Sequence, residues 1–321
     1  VPFITFHNPE KAVRNIADQL FFSGYCGHAY GDPLYYIRIW NELNALSFTE
    51  RKLKNIIPVD TKSFTEESVR DFLHKLRKQK QKKSILSYSS SLEILKRIIL
   101  MHKIEPDDFK LTVIFSMAEA LSAQTKEFLE DFFQCPVYSR YSNTENGFIA
   151  HQLPGFQNNY LINNAGFKVE IFDVNKDEKL GYGESGRIVV TDLFNKAYPM
   201  IRYDTGDIGV MDLYKYGRKE YEVLSRIEGR LLDFINIDGN LISPHVVDYA
   251  LRSFKDIKQF QIIQKTNDRF DLKLNVFPKS KMEDEDQVLK KLKEYLGDKA
   301  LEQHQRDADL PQHFSGGLDK Q

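Results

Sequence analysis

The sequence predicts an α/β fold: a large parallel-sheet domain, then a small antiparallel β unit, then an α+β C-terminal domain. Three observations predict it. Apolar strand-like runs alternate with amphipathic helical stretches up to about residue 160, with Leu111-Thr112-Val113-Ile114-Phe115 the clearest buried strand. From about residue 162 the β segments shorten and are separated by turns such as Gly181-Tyr182-Gly183. Past Gly229 two further strand patterns precede an amphipathic helix. At 321 residues, a prior of roughly 150 residues per domain leaves room for about two domains, placed at 1–228 and 229–321.

The N-terminal elements come first. Phe3–Phe6 reads as a short strand. Asn8-Pro9-Glu10 opens a helix, since Asn caps and Pro suits the first helical position; Val13, Ile16, Ala17 and Leu20 recur on one face, and Gly24 closes it. Thr65–Lys83 reads as a second helix with Val69, Phe72, Leu73 and Leu76 as its stripe. Its end carries six Lys/Arg between Lys75 and Lys83, either a phosphate contact or a solvated end favoured by the helix dipole. Ile85–Tyr88 reads as a strand, followed by a helix through Ile94, Leu95, Ile98 and Ile99. The buried strand Leu111–Phe115, a helix over Ser122–Phe133 and a strand at Pro136–Ser139 complete a β-α-β order. Such strands are parallel, so the loops after Phe115 and Ser139 open on one carboxyl edge, where open α/β sheets bind ligands.

Further strands are expected at Phe167–Phe172, Gly186–Thr191, Asp207–Met211 and Glu220–Ile227. In the last region they fall near Gln259–Lys265 and Phe270–Val276, before a helix carrying Val288, Leu289, Leu292, Tyr295 and Leu296 that Gly297 ends. The residues from Glu302 to Gln321 are polar and carry no clear pattern.

Composition removes several classes. Lys+Arg number 45 against 46 Asp+Glu, a net charge of −1 that lacks the basic excess of a nucleic-acid surface; 41% apolar content argues against disorder. No apolar run reaches the roughly 18 residues of a membrane helix. Cys26 and Cys135, far apart, form no disulfide framework or zinc pair and read as buried thiols of a reducing, cytoplasmic compartment. The eight histidines, His28, His151 and His245 among them, show no metal-ligand spacing.

Four segments carry candidate chemistry: Ser116-Met117-Ala118-Glu119-Ala120-Leu121, Tyr141-Ser142-Asn143-Thr144-Glu145, Ile201-Arg202-Tyr203-Asp204-Thr205-Gly206-Asp207, and Glu228-Gly229-Arg230-Leu231-Leu232-Asp233 with Asp238-Gly239-Asn240 beyond it. In this order and spacing, with Gly183–Thr191 before the third, they resemble the adenylate-forming (ANL) superfamily of acyl-CoA ligases, most closely its phenylacetate-CoA ligase and CapK-like branch.

The resemblance implies a large adenylate-binding domain, incomplete at its N-terminus, a small β subdomain and a mobile C-terminal lid domain. It implies that ATP and a small-molecule carboxylic acid give acyl-AMP, whose acyl group passes to a thiol, coenzyme A for most relatives. Capsule or cell-envelope synthesis is the setting the branch suggests. Glu145, an oxygen donor at a strand's carboxyl edge, is the implied Mg²⁺ ligand, and Thr144 the α-phosphate contact. Tyr141 and the neighbouring Ser142 are assigned to the nucleotide, with Tyr141 offering an aromatic face to adenine and Ser116, Met117, Ala118 and Glu119 lining the base; a plain strand-end turn is the alternative. Asp207 is the implied ribose carboxylate, otherwise a turn-capping aspartate, and Arg230 the implied ribose or phosphate arginine, otherwise a surface residue at a domain junction.

Two departures stand out. Relatives carry a Ser/Thr/Gly-rich phosphate loop before a Pro; none occurs in this chain, and Val1-Pro2-Phe3 is similar to the stretch just past that loop, so the chain is expected to start downstream of it. Relatives also place an adenylation lysine within a segment similar to Phe314-Ser315-Gly316-Gly317-Leu318-Asp319; Gly317 stands at its position and Lys320 is the nearby substitute. The hinge is expected near Arg230–Asp233, with Leu232 where relatives have an acidic residue or lysine. A non-catalytic nucleotide-binding homologue and an enzyme with a different acceptor are the alternatives. The Ser87–Ser91 cluster reads as a helix cap or an acyl-pocket wall, and Tyr35, Tyr36, Ile37 and Trp40 as pocket or core. Oligomeric state is not encoded in any motif.

Overall fold

The computed structural model describes residues 5–40, 45–61, 65–230, 235–237, 240–242, 251, 254, 256–266, 269–276, 285–296, 301–306 and 318–320. The chain forms two compact units, Val1–Thr205 with Gly209–Ile227, and Gly206–Ile208 with Glu228–Gln321.

In the first unit, eleven strands form one sheet. Its parallel half is β1 (Leu34–Arg38), β2 (Ile56–Asp60), β3 (Lys83–Tyr88), β4 (Leu111–Met117) and β5 (Val137–Asn143), ordered β2-β1-β3-β4-β5. β5 then pairs antiparallel with β6 (Gly147–Gln152), and the sheet continues through β7 (Tyr160–Ile162), β11 (Lys219–Arg230), β10 (Tyr203–Tyr216), β9 (Ser185–Asp192) and β8 (Phe167–Phe172). The antiparallel portion therefore begins at residue 147, earlier than the pattern near 162 suggests, and is continuous with the parallel half. β4 and β5 are parallel, with Ile114 opposite Val137 and Ser116 opposite Ser139, as their crossover requires.

Helices cover both faces of the parallel half. On one side lie α3 (Glu66–Lys78), α4 (Ser89–Met101) and α5 (Ala123–Phe133), whose Val69, Phe72, Leu76, Leu95 and Leu129 pack with Ile37, Ile85 and Ile114 of the strands. Each such side chain gains roughly 1.5–3 kcal/mol on burial. α3 starts at the N-cap Thr65, whose hydroxyl accepts from the Ser68 N–H, and stops at Lys78 rather than Lys83. Lys83 opens β3 instead and is fully buried, its Nζ donating to the carbonyls of Gln79, Gln81 and Phe109. Those three acceptors are what allow a lysine inside.

On the other face lies α1 (Pro9–Tyr25), whose Phe22, with neighbouring Cys26, meets Leu86, Val113 and Phe115. The anticipated apolar stripe is not what docks: Val13, Ile16 and Leu20 are 66%, 50% and 47% exposed, while Lys11 and Asp18 are buried. Lys11 Nζ pairs with Asp192 Oδ2 at 2.7 Å, and Arg14 Nε with Asp18 Oδ1 at 2.8 Å. Three elements between α1 and α3 carry no strong periodicity and are seen only in the structure: β1, β2 and the short α2 (Phe48–Leu53), which a reciprocal Ser47–Glu50 capping box starts. Thr5 and Phe6, expected as strand, are irregular, and residues 1–4 lie outside the described ones.

The second unit holds a four-stranded sheet ordered β16-β15-β14-β17: β14 (Ile257–Thr266) and β15 (Arg269–Val276) form a hairpin flanked in parallel by β16 (Leu301–Arg306) and β17 (Leu318–Lys320). Val288 and Leu292 of α6 (Glu285–Leu296) pack with Ile262, Phe270, Leu272 and Leu274. A small hairpin, β12 (Ile235–Ile237) and β13 (Asn240–Ile242), precedes them. Strands thus occupy parts of the polar 302–321 tail that showed no pattern.

Candidate active site

The carboxyl edge of β4 and β5 gathers two of the four segments. β4 ends at Met117, and Ala118 turns the chain with φ +70°, a left-handed conformation that costs a residue with a Cβ about 1–2 kcal/mol. The turn is held from below. Ser116 Oγ is buried and 2.6 Å from Ser89 Oγ, which also donates to the Glu119 carbonyl at 2.6 Å. The Ser90 N–H donates to Glu119 Oε2 at 2.8 Å; the N-cap position of α4 is Tyr88, which makes no side-chain cap, and Ser89–Ser91 form the helix's first turn rather than its cap. Ser116 and Glu119 therefore work within the fold's own hydrogen bonds, and the Met117 side chain is buried. What this segment presents to the edge is mainly the turn around Ala118.

β5 runs further than its apolar pattern, through Asn143, and carries the second segment to a hairpin tip. Tyr141 is buried among Ile149, Ile162 and Leu224, which leaves little of its ring face for a base. Its hydroxyl donates to Thr205 Oγ1 at 3.1 Å, and Thr205 Oγ1 donates to the Ile188 carbonyl at 2.8 Å. Two motifs 64 residues apart are joined through that contact. Ser142 and Glu145 are half-buried, and Thr144 is exposed at the turn. An Asx turn, Asn146 N–H to Asn143 Oδ1 at 2.8 Å, shapes the tip, and His7 Nε2 donates to the Glu145 carbonyl at 2.9 Å. Gly147, at φ +86°, closes it; a Cβ there would lie 2.7 Å from Asn15 Oδ1. Asn146 is fully buried with neither side-chain polar atom paired among the described residues, a group no local motif flagged.

The third segment enters β10 at Tyr203, so Asp207 is a half-buried residue inside the strand rather than its start. Gly206 before it has φ +76°. Arg187 Nη1 pairs with Asp204 Oδ2 at 2.7 Å, fixing the entry to the strand. Arg230, the last residue of β11, is exposed. Asp207, Arg230 and Lys320 belong to the second unit, with Lys320 of β17 in register with Gln264 of β14. Residues 231–234, where the hinge was expected, and 307–317, which include Gly317, lie outside the described residues.

Among the described residues no three His, Cys, Asp or Glu side chains cluster as a ready-made metal cage. A single carboxylate such as Glu145 still fits Mg²⁺, which keeps several waters and takes its other ligands from phosphates. Cys26 and Cys135 are buried free thiols, both pushed up to about 12 by burial, and so unreactive. No described helix is long and apolar enough to cross a membrane.

No family model matches the chain. Two curated sequences are similar to it. Protein CapK of Staphylococcus aureus is 27% identical over 233 residues, 71% of this chain and 48% of its own length. A protein of Humulus lupulus named Probable CoA ligase CCL9 is 27% identical over 233 residues, 65% of this chain and 43% of its own. The chain thus spans about half the length of the curated relatives it matches. Among solved structures, 2-hydroxyisobutyryl-CoA ligase in a postadenylation state with 2-HIB-AMP superposes with a TM-score of 0.72 at 17% identity, over 100% of this chain and 75% of that one. ATP-bound MatB of Rhodopseudomonas palustris gives 0.66 at 15%, over 96% and 62%. The AMP complex of O-succinylbenzoate coenzyme A synthetase of Bacillus subtilis gives 0.64 at 16%, over 96% and 63%.

Proposed function

We propose that this chain belongs to the adenylate-forming superfamily and carries the nucleotide site of an AMP-forming carboxylic acid ligase of the phenylacetate-CoA ligase and CapK-like branch, a reading its similarity to CapK and to a CoA ligase supports. A carboxylate attacks the α-phosphate of ATP to give acyl-AMP and pyrophosphate, and a thiol, coenzyme A, displaces AMP. The observation that carries the reading is the Tyr141–Thr205 hydroxyl contact, which ties the Tyr141–Glu145 tip to the strand bearing the T-G-D segment.

In this reading the Thr144 hydroxyl, exposed at the tip, donates to the α-phosphate. Glu145, in the same turn, holds Mg²⁺, which supplies charge neutralisation on the phosphates when bound. Asp207 accepts from the ribose hydroxyls, Arg230 offers its planar fork to ribose or phosphate, and the turn at Ala118 borders the base. Residues 229–321 act as the lid, presenting Lys320 for adenylation and turning away for thiol transfer. The cytoplasm, where ATP and coenzyme A are present, is the compartment, and capsule or envelope synthesis the setting.

Calorimetry with ATP and Mg²⁺ on this chain and on Asp207→Ala tests it. Binding that the substitution abolishes is expected; binding equal in both, or absent from both, overturns the assignment. Gly317 at the relatives' lysine position favours a second reading, nucleotide binding with slow adenylation. Gly317→Lys is then expected to raise ATP–pyrophosphate exchange, and an unchanged rate sinks that second reading.

A further inference from the structure

The carboxyl ends of β1, β4 and β5 bring together side chains that the nucleotide motifs leave unused. The Tyr36 hydroxyl accepts from Arg38 Nη1 at 3.2 Å and donates to Met117 Sδ at 3.8 Å. Arg140 Nη2 donates to the same sulfur at 2.9 Å, and Arg140 also hydrogen-bonds the Tyr36 side chain. The Arg38 guanidinium lies 5.3 Å from the Tyr36 ring centroid and 5.5 Å from that of Trp40, whose Nε1 donates to the Tyr36 carbonyl at 3.3 Å. Arg140 stacks on Phe148 at 5.1 Å.

Two guanidinium groups thus share one phenol oxygen. Neither makes an ion pair with a described carboxylate, and the Nε of each is buried with no acceptor among the described residues. The contrast with the same unit is sharp: buried Lys11 has Asp192, and Arg14 has Asp18. Burial lowers the proton affinity of Arg140, the Tyr36 oxygen opposes that, and the Arg38 charge adds to it. Like charges held this close at a half-buried ligand-binding edge are organised for an anion, and the fork of arginine suits a carboxylate best.

We propose that Arg38 and Arg140 form an anion subsite for a second acidic group of the substrate, a carboxylate on the acyl portion away from the one that is activated. The proposal rests on the adenylation reading and names its substrate class, a dicarboxylic acid. Two arginines clamped on the reacting carboxylate would drain its nucleophilicity and stabilise the ground state, which works against attack on phosphorus. On a remote carboxylate they cost nothing in the chemical step. Location agrees: Arg140 directly precedes Tyr141, Met117 belongs to the edge turn, and Tyr36 and Trp40 supply apolar surface for the chain between the two acids.

Trp40 is the single tryptophan, so its emission reports on this subsite alone. The chain is titrated at constant ionic strength with glutarate, with neutral glutaramide and with inorganic phosphate. A saturable change with glutarate, absent with glutaramide and weakened about tenfold or more in Arg38→Gln and Arg140→Gln, is expected. Arg38→Lys recovers part of it, and the wild-type comparison of glutarate with glutaramide stands even where a variant fails to fold. No response to glutarate, an equal response to glutaramide, saturation by phosphate alone, or indifference to both substitutions overturns the subsite. With ATP and Mg²⁺, pyrophosphate release is then compared for glutarate and valerate; a kcat/KM about tenfold or more in favour of glutarate is expected, and equal use overturns the second acidic group. ATP calorimetry run in parallel separates the readings: absent ATP binding beside an intact glutarate response overturns adenylation, whereas ATP binding without a glutarate response overturns the subsite.

Discussion

α1 and α3 each carry an apolar stripe in the sequence, and the fold uses the two in opposite ways. α3 turns Val69, Phe72, Leu73 and Leu76 onto the sheet and leaves its Lys and Arg outside. α1 turns Lys11 and Asp18 inward, anchors through Phe22 on Phe148 and His151, and leaves Val13, Ile16 and Leu20 exposed. Helical periodicity identifies a helix and one of its faces; the partner's chemistry decides which face docks. The strands beneath α3 offer Ile37, Ile85 and Ile114, whereas the sheet beneath the N-terminal half of α1 offers Asp192 and Asn163.

The largest effect that would sharpen this contrast is at the α1 ion pair. Asp192→Asn leaves the Lys11 ammonium buried without its charge partner, and a loss of about 3–5 kcal/mol in urea unfolding is expected. A loss under about 1 kcal/mol would mean that α1 does not depend on its polar face. On the other side of the sheet, Leu76→Ala in α3 should cost about 2–5 kcal/mol by cavity formation. A neutral result there would remove the distinction between the two helices.

The anchor of α1 is sensitive to acid. His151 is fully buried, donates from Nδ1 to the Gln152 carbonyl and stacks with Phe22 and Phe148; burial first, and the Arg140 charge as well, bring its pKa down to about 3 from 6.5. An unfolded chain takes up that proton near pH 6.5 and the folded one only near 3, so acid favours unfolding between those values. The stability contribution is complete above about pH 6.5 and declines as pH falls toward 3, by at most about 1.4 kcal/mol per pH unit. Urea midpoints of wild type and His151→Gln across this range should converge as the pH falls; parallel curves would remove His151 as the cause. The smallest effect belongs to the exposed stripe: Leu20→Ala should move stability by no more than about 0.5 kcal/mol, and a loss of about 2 kcal/mol would show that this face is covered.

The same division runs through the candidate site. The strand-helix-strand order from Leu111 to Asn143 was legible because a buried β4 and an amphipathic α5 leave distinct periods, and it predicted the edge on which Ala118 and Thr144 sit. β1 was not legible, since Leu34-Tyr35-Tyr36-Ile37-Arg38 mixes aromatic and charged residues with no clean alternation. Its Tyr36 and Arg38 acquire meaning only beside Arg140, 102 positions away from Arg38 in the chain. Asn146 is silent in sequence for the same reason, as an unpaired amide is a property of its surroundings.

By itself the sequence determined the α/β class, the order of elements from α3 to β5 and the adenylate-forming resemblance, because these rest on local periodicity and on short segments whose chemistry is self-contained. Only the tertiary structure decided that α1 docks by its polar face, that Glu119 accepts the Ser90 N–H, that Tyr141 is tied to Thr205 and that two arginines face one phenol. Each of those depends on which distant side chain lies opposite, and burial and charge pairing act through space, where sequence separation has no bearing.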